Sequence, residues 1–156
     1  MNERGFTLVE MLVVIAIIGI LSAIMAYEFN REQRKSIVEA QVRDMYTEIM
    51  DARAQSFYTK QPRSVIVNGT DFRVINSLSG VTLSTMTLKH PVVLNTADNS
   101  LNFDTSGLTF GSFSSVCIEP SDNPGFNDSI VISAAKINMG KRATGGDCGT
   151  GTIKLQ

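Results

Sequence analysis

The residue with the clearest chemical consequence is Glu10, the only charge inside the apolar run GFTLVEMLVVIAIIGILSAIMAY, residues 5–27. That run is long enough and apolar enough to cross a bilayer. A carboxylate within a membrane segment costs about 2.5–3.5 kcal/mol and therefore calls for a partner. The partner we infer is a positive amino terminus, created by cutting the chain between Gly5 and Phe6.

Other chemistry is sparse. His90 is the only histidine, and it precedes Pro91 in an apparent strand. It suits a surface or edge position better than catalysis, because no Ser-His-Asp or Cys-His set can be assembled around it. The expectation is a non-enzymatic protein without a cofactor. Cys117 and Cys148 have no second Cys or His at metal-ligand spacing. In an oxidising compartment an even cysteine count favours a disulfide. Closing a loop of that size stabilises by about 3–4 kcal/mol on the chain-entropy model. The loop EPSDNPGFND gathers Asp122, Asn123, Asn127 and Asp128, but their spacing does not match a defined calcium loop, so it reads as a turn and no metal is expected. A net charge of −1 argues against a generic polyanion binder.

These groups must be positioned by one long helix followed by strands. Val38, Val42, Met45, Ile49 and Ala52 recur at spacings of four and three, one apolar stripe on a helix, widened by Tyr46, Met50 and Phe57. Glu39 and Arg43 form an i,i+4 pair on its wet side. From Phe6 to Thr59 there is no Pro and only one Gly, Gly19, so a single rod of roughly 80 Å is expected. Pro62 ends it by pushing Gln61 towards extended geometry. SVIV (residues 64–67), Asn68-Gly69 and FRVI (residues 72–75) read as a hairpin. Further strands are expected at residues 85–89, 92–95, 101–104, 108–110, 114–118, 130–133, 136–138 and 152–155, with turn residues between them. Helix then strands is an α+β domain with the helix on one face of antiparallel sheet.

Gly5 followed by FTLVE and an unbroken apolar helix resembles the processing motif of type IV prepilins and of the pseudopilins of type II secretion. The resemblance implies removal of the leader, residues 1–5, by a prepilin peptidase, N-methylation of Phe6, and a role for Glu10 in docking each subunit into a filament. It divides the chain into that leader, a membrane or filament-core helix (6–27), an amphipathic continuation (28–59) and a β-rich domain (60–156). Many type IV pilins carry a proline where Tyr27 stands; its lack predicts an unbroken helix there. Glu10 also counts against the tip pseudopilin type, which lacks this residue.

The segments MDARAQSFYTKQPRSVIV, LNFDTSGLT and ISAAKINMGKR are similar to the helix end, a Phe-Asp hairpin and a late strand with a Gly-basic turn in the FimT/GspH group of minor pilins and pseudopilins. Such domains usually carry two antiparallel sheets. The group implies other pilins and an inner-membrane assembly platform as partners, and a single-pass inner-membrane protein with its domain in the periplasm. FimT-like proteins of transformable bacteria contact DNA through Gly-Arg-x-Arg. Here Gly140 matches, Lys141 replaces the first Arg, Arg142 comes one step early and Ala143 stands where the second Arg would be, so Lys141 and Arg142 are candidates for DNA contact but supply little phosphate affinity alone.

Two other readings of the N-terminus compete with processing after Gly5. An ordinary secretory signal would be cut after Ala26, with Ile24 poorly suited two positions earlier. A plain single-span anchor carrying an exported binding domain would leave Glu10 without a reason. Arg31, Arg34 and Lys35 lie on the exported side, against the positive-inside preference.

Overall fold

The computed structural model describes residues 7–109 and 113–156. One helix, α1 (Leu8–Thr59), precedes seven strands: β1 (Arg63–Asn76), β2 (Thr82–Leu94), β3 (Ser100–Phe103), β4 (Ser114–Ile118), β5 (Ser129–Ile132), β6 (Ile137–Arg142) and β7 (Ile153–Leu155). They form one antiparallel sheet in the order β3-β1-β2-β4-β5-β6-β7. The architecture is the expected α+β arrangement, a long helix laid against antiparallel sheet.

The helix runs through Tyr27 without interruption, as a segment without Pro should. Its exit is made at Lys60, not at the proline. Lys60 is left-handed at φ 55°, ψ 32°, and its ammonium sits 4.1 Å from the Phe57 ring centroid. Pro62 then only holds the entry into β1.

The stripe meets the sheet as its spacing predicts. Val38, Val42, Met45, Ile49 and Ala52 are no more than 2 % exposed and pack on Val65, Phe72, Val74, Leu94, Ile118 and Ile130 among others. Burying each of the four larger ones stabilises by about 1.5–3 kcal/mol. The stripe is narrower than expected, however. Met50 and Phe57 are exposed, and Tyr46 is only half-buried. Ser56, four residues past Ala52, continues the buried line and satisfies its hydroxyl on the Arg53 carbonyl at 2.7 Å. The expected Glu39–Arg43 pair does not form. Glu39 instead accepts from the Phe126 backbone N–H at 2.9 Å, because the β4–β5 loop folds onto that face of α1 and its amide needs a partner.

Strand β1 doubles back at Asn68-Gly69. Fully extended, Pro62 and Ser77 would stand about 50 Å apart; the Ser77 N–H instead donates to the Pro62 carbonyl at 3.0 Å, and the Ser64 and Ser77 hydroxyls lie 2.7 Å apart. Gly69 takes φ 61° at this bend, which is why a glycine follows the asparagine. The hairpin read from the sequence is therefore present within β1.

Strand β2 corrects two expectations. Residues 85–89 and 92–95 are not separate strands; β2 passes through His90-Pro91. It pairs with β1 through Thr82–Thr87 and again at Val92, opposite Gly69, and Val92–Leu94 pair with β4. By joining both halves it makes one sheet where two were expected. Between these ladders the buried Gln41 side chain stands in for a strand: its Oε1 accepts from the Lys89 and His90 N–H groups at 3.0 and 2.9 Å, and its amide donates to the His90 carbonyl at 2.8 Å. Of the strand expected at 108–110, Thr109 makes a single bridge to Phe103, and Phe110 lies outside the described residues.

Candidate functional site

The described residues place the sequence-derived candidates in three separate regions. The first is the start of α1. Thr7 is its N-cap, in extended geometry, and its hydroxyl accepts from the Glu10 N–H at 3.2 Å. Glu10 is thus the third helical residue, where the backbone N–H groups and the positive end of the helix dipole favour a negative charge. Thr-x-x-Glu is a capping signal that the sequence already carried. Gly5 and Phe6, the expected cleavage pair, lie outside the described residues.

From Leu8 to Phe29 every large apolar side chain is at least 43 % exposed. This half of α1 is apolar around its circumference and exposed throughout. Such a surface far exceeds the apolar patches that soluble monomers leave in water. A helix apolar on all sides belongs in lipid or among other helices. By length and composition it is able to cross a membrane.

The second region is the back of the sheet. Cys117 of β4 and Cys148 are joined as a disulfide with Cα atoms 5.8 Å apart. The bond ties the C-terminal segment over the face that α1 does not cover, where Cys117, Val131 and Ile153 form a small second core. At Gly140 a Cβ would come within 2.6 Å of Ile153 Cγ2 and 2.8 Å of the Lys154 carbonyl, so only glycine lets β7 lie against β6 there.

The third region gathers the residues considered for calcium and for DNA. Asp128 is fully buried directly before β5. One carboxylate oxygen accepts from Lys141 Nζ at 2.7 Å. The other accepts from the Arg142 N–H at 2.8 Å and from the Ser129 hydroxyl at 2.8 Å. The Arg142 guanidinium is itself buried, bonded to Glu119 at 2.8 Å and to the Ile118 carbonyl at 2.6 Å. Asn123 is buried too, its amide donating to the Ile118 carbonyl at 3.2 Å, whereas Asp122 is exposed opposite Arg34. Lys141 and Arg142 thus brace the β4–β5 loop against β6 and are not presented together to a phosphate backbone. Asp128 is the residue that sequence reasoning misjudged. It lies at the end of the polar loop, and its position directly ahead of the buried run SIVI is the signal in the sequence that it turns inward.

His90 sits half-buried in β2, where its backbone serves the Gln41 contacts. Gln41 itself was missed. It stands three residues after Val38 and four before Met45, on the buried face, and a polar residue at such a position signals a specific backbone partner.

Comparison with known proteins agrees with this arrangement. Residues 1–26 match the family model of the prokaryotic N-terminal methylation motif. Among curated proteins no match is found. The fold is similar to the crystal structure of the type IV minor pilin FimU of Pseudomonas aeruginosa strain PAO1, with a TM-score of 0.51 and 15 % sequence identity, over 70 % of this chain and 90 % of that one. At that identity the likeness speaks for the fold, a long N-terminal helix on antiparallel sheet. An N-terminal methylation motif and a fold similar to that of FimU thus occur in one chain.

Proposed function

We propose that this chain is a minor pilin or pseudopilin that joins or primes a helical filament anchored at the bacterial inner membrane, in a type IV pilus or a type II secretion pseudopilus. The observation that carries this reading is the uncovered apolar half of α1 with one carboxylate at its leading end. The subunit inserts in the inner membrane with its domain in the periplasm. A prepilin peptidase removes residues 1–5 and Phe6 becomes N-methylated. The subunit then leaves the bilayer for a bundle of like helices on the assembly platform. In lipid Glu10 stands without an opposite charge; in the bundle it meets the Phe6 amine of an adjacent subunit. Transfer is thereby favoured by charge neutralisation.

The domain serves as a rigid head. Its helix seam, disulfide and Asp128 cluster hold it together while α1 moves from one apolar surrounding to another. Proteomic analysis of sheared filaments and of detergent-extracted secretion machinery tests the proposal. Peptides from residues 60–156 are expected in one of these fractions, at far lower abundance than a major subunit. Their confinement to free membrane, with both assemblies present and intact, would contradict it.

A further inference from the structure

We propose that the junction between the apolar half of α1 and the domain binds the phosphate of anionic phospholipid headgroups. Tyr27, Asn30, Arg31 and Arg34 follow the spacing i, i+3, i+4, i+7 and so share one face of the helix. With Asp122 and Pro124 of the β4–β5 loop they line an open cleft of about 350 Å³. Arg31 is exposed and makes no ion pair among the described residues. Arg34 reaches Asp122 only at 3.9 Å and the Asn123 side-chain oxygen at 3.4 Å, long contacts that hold its direction and leave donors open.

Depth makes the cleft a headgroup site. Leu8 to Phe29 spans about 32 Å of helix, close to the hydrocarbon thickness of roughly 30 Å. Tyr27 and Phe29, 71 % and 68 % exposed, then fall at the rim where aromatic side chains gather. Arg31 and Arg34 lie about 3 and 8 Å beyond Phe29, at the level of lipid phosphates. Guanidinium groups match phosphate oxygens bidentately, and the Tyr27 hydroxyl supplies a further donor. Glu28 and Glu32 flank this face, and Lys35 is shared with Glu32 at 3.5 Å. Residues 27–35 carry a net charge of +1, from three cations and two carboxylates, and in the cleft itself Asp122 offsets Arg34 and leaves Arg31 as the surplus cation. Lipid phosphate gives these cations a role on the side of the membrane where the positive-inside preference disfavours them: they fix the depth of the helix.

The proposal rests on the membrane-spanning reading of α1 and not on processing or filament assembly. The full-length chain in detergent is titrated with phosphatidylglycerol or phosphatidylcholine and its lipid adducts are read by native mass spectrometry. Phosphatidylglycerol is expected to bind about fivefold more tightly, the effect of the one cleft cation left after Asp122 offsets Arg34, at about 1 kcal/mol for a juxtamembrane cation. The Arg31→Gln, Arg34→Gln double variant should bind the two lipids within twofold of each other. No preference in the unmodified chain, or an undiminished preference in the double variant, overturns the proposal. Displacement of the lipid by inorganic phosphate would mark a free-phosphate site and overturn it as well. Flotation with phosphatidylcholine vesicles separates the underlying reading: both proteins should float, and failure of both would remove the membrane-spanning helix itself.

Discussion

Replacing Glu10 by Ala is expected to empty the filament fraction of this subunit while leaving its domain folded. Two effects act in the same direction. The variant loses the group that pairs with a neighbour's α-amine in the bundle. It also gains stability in the bilayer, where a carboxylate is disfavoured, by less than the bilayer-centre cost because Glu10 lies near the helix end. Glu10→Gln should behave alike, because it keeps the shape and removes the charge. The domain should not notice either change, since the buried part of α1 begins at Val38, some 40 Å along the helix. Immunoblots of sheared filaments against membranes, with circular dichroism of the purified variants, read both halves of the expectation. Undiminished incorporation of Glu10→Ala would refute the charge-neutralisation role.

The largest expected loss of stability lies at the other end of the molecule. Asp128→Ala should destabilise the domain by roughly 3–5 kcal/mol, the cost of breaking a buried ion pair from one side. Asp128 is fully buried and holds Lys141, the Arg142 N–H and Ser129 at once. Its own backbone links β4 to β6, donating to the Gly140 carbonyl at 3.1 Å and accepting from the Ile118 N–H at 2.9 Å. The Lys141 side chain remains 26 % exposed, so it can rehydrate, and the lower part of that range is expected. Asp128→Asn should cost less, because its side-chain oxygen still accepts from the Arg142 N–H. Guanidinium unfolding of the detergent-solubilised chain, followed by circular dichroism, gives the ranking. Equal stability of Asp128→Ala and the parent would show that the cluster does not brace the loop.

What could be read from the sequence was local. The apolar stripe on α1 follows from its spacing, the unbroken passage through Tyr27 from the absence of Pro, and the bend in β1 from Asn68-Gly69. Strand β4 has the expected limits, and β5, β6 and β7 lie within a few residues of theirs. What could not be read depends on residues far apart. Strand β2 runs through His90-Pro91 because Gln41, nearly fifty positions away, supplies its missing partners. Lys141 and Arg142 turn inward because Asp128 and Glu119 wait there. One sheet forms in place of two because β2 is long enough to pair with β1 at one end and β4 at the other. At the candidate assembly site the sequence pointed to Glu10 from its charge alone, while the N-cap at Thr7 shows how the helix end receives it.

Mass spectrometry of the N-terminal peptide of the protein from its native membrane tests the central claim most directly. A peptide beginning at Phe6 and bearing one methyl group on its amine is the result this account requires, for only that cut exposes the charge which Glu10 is to meet. A mature chain that still starts with Met1, or one that starts at Tyr27 after a cut behind Ala26, would contradict it.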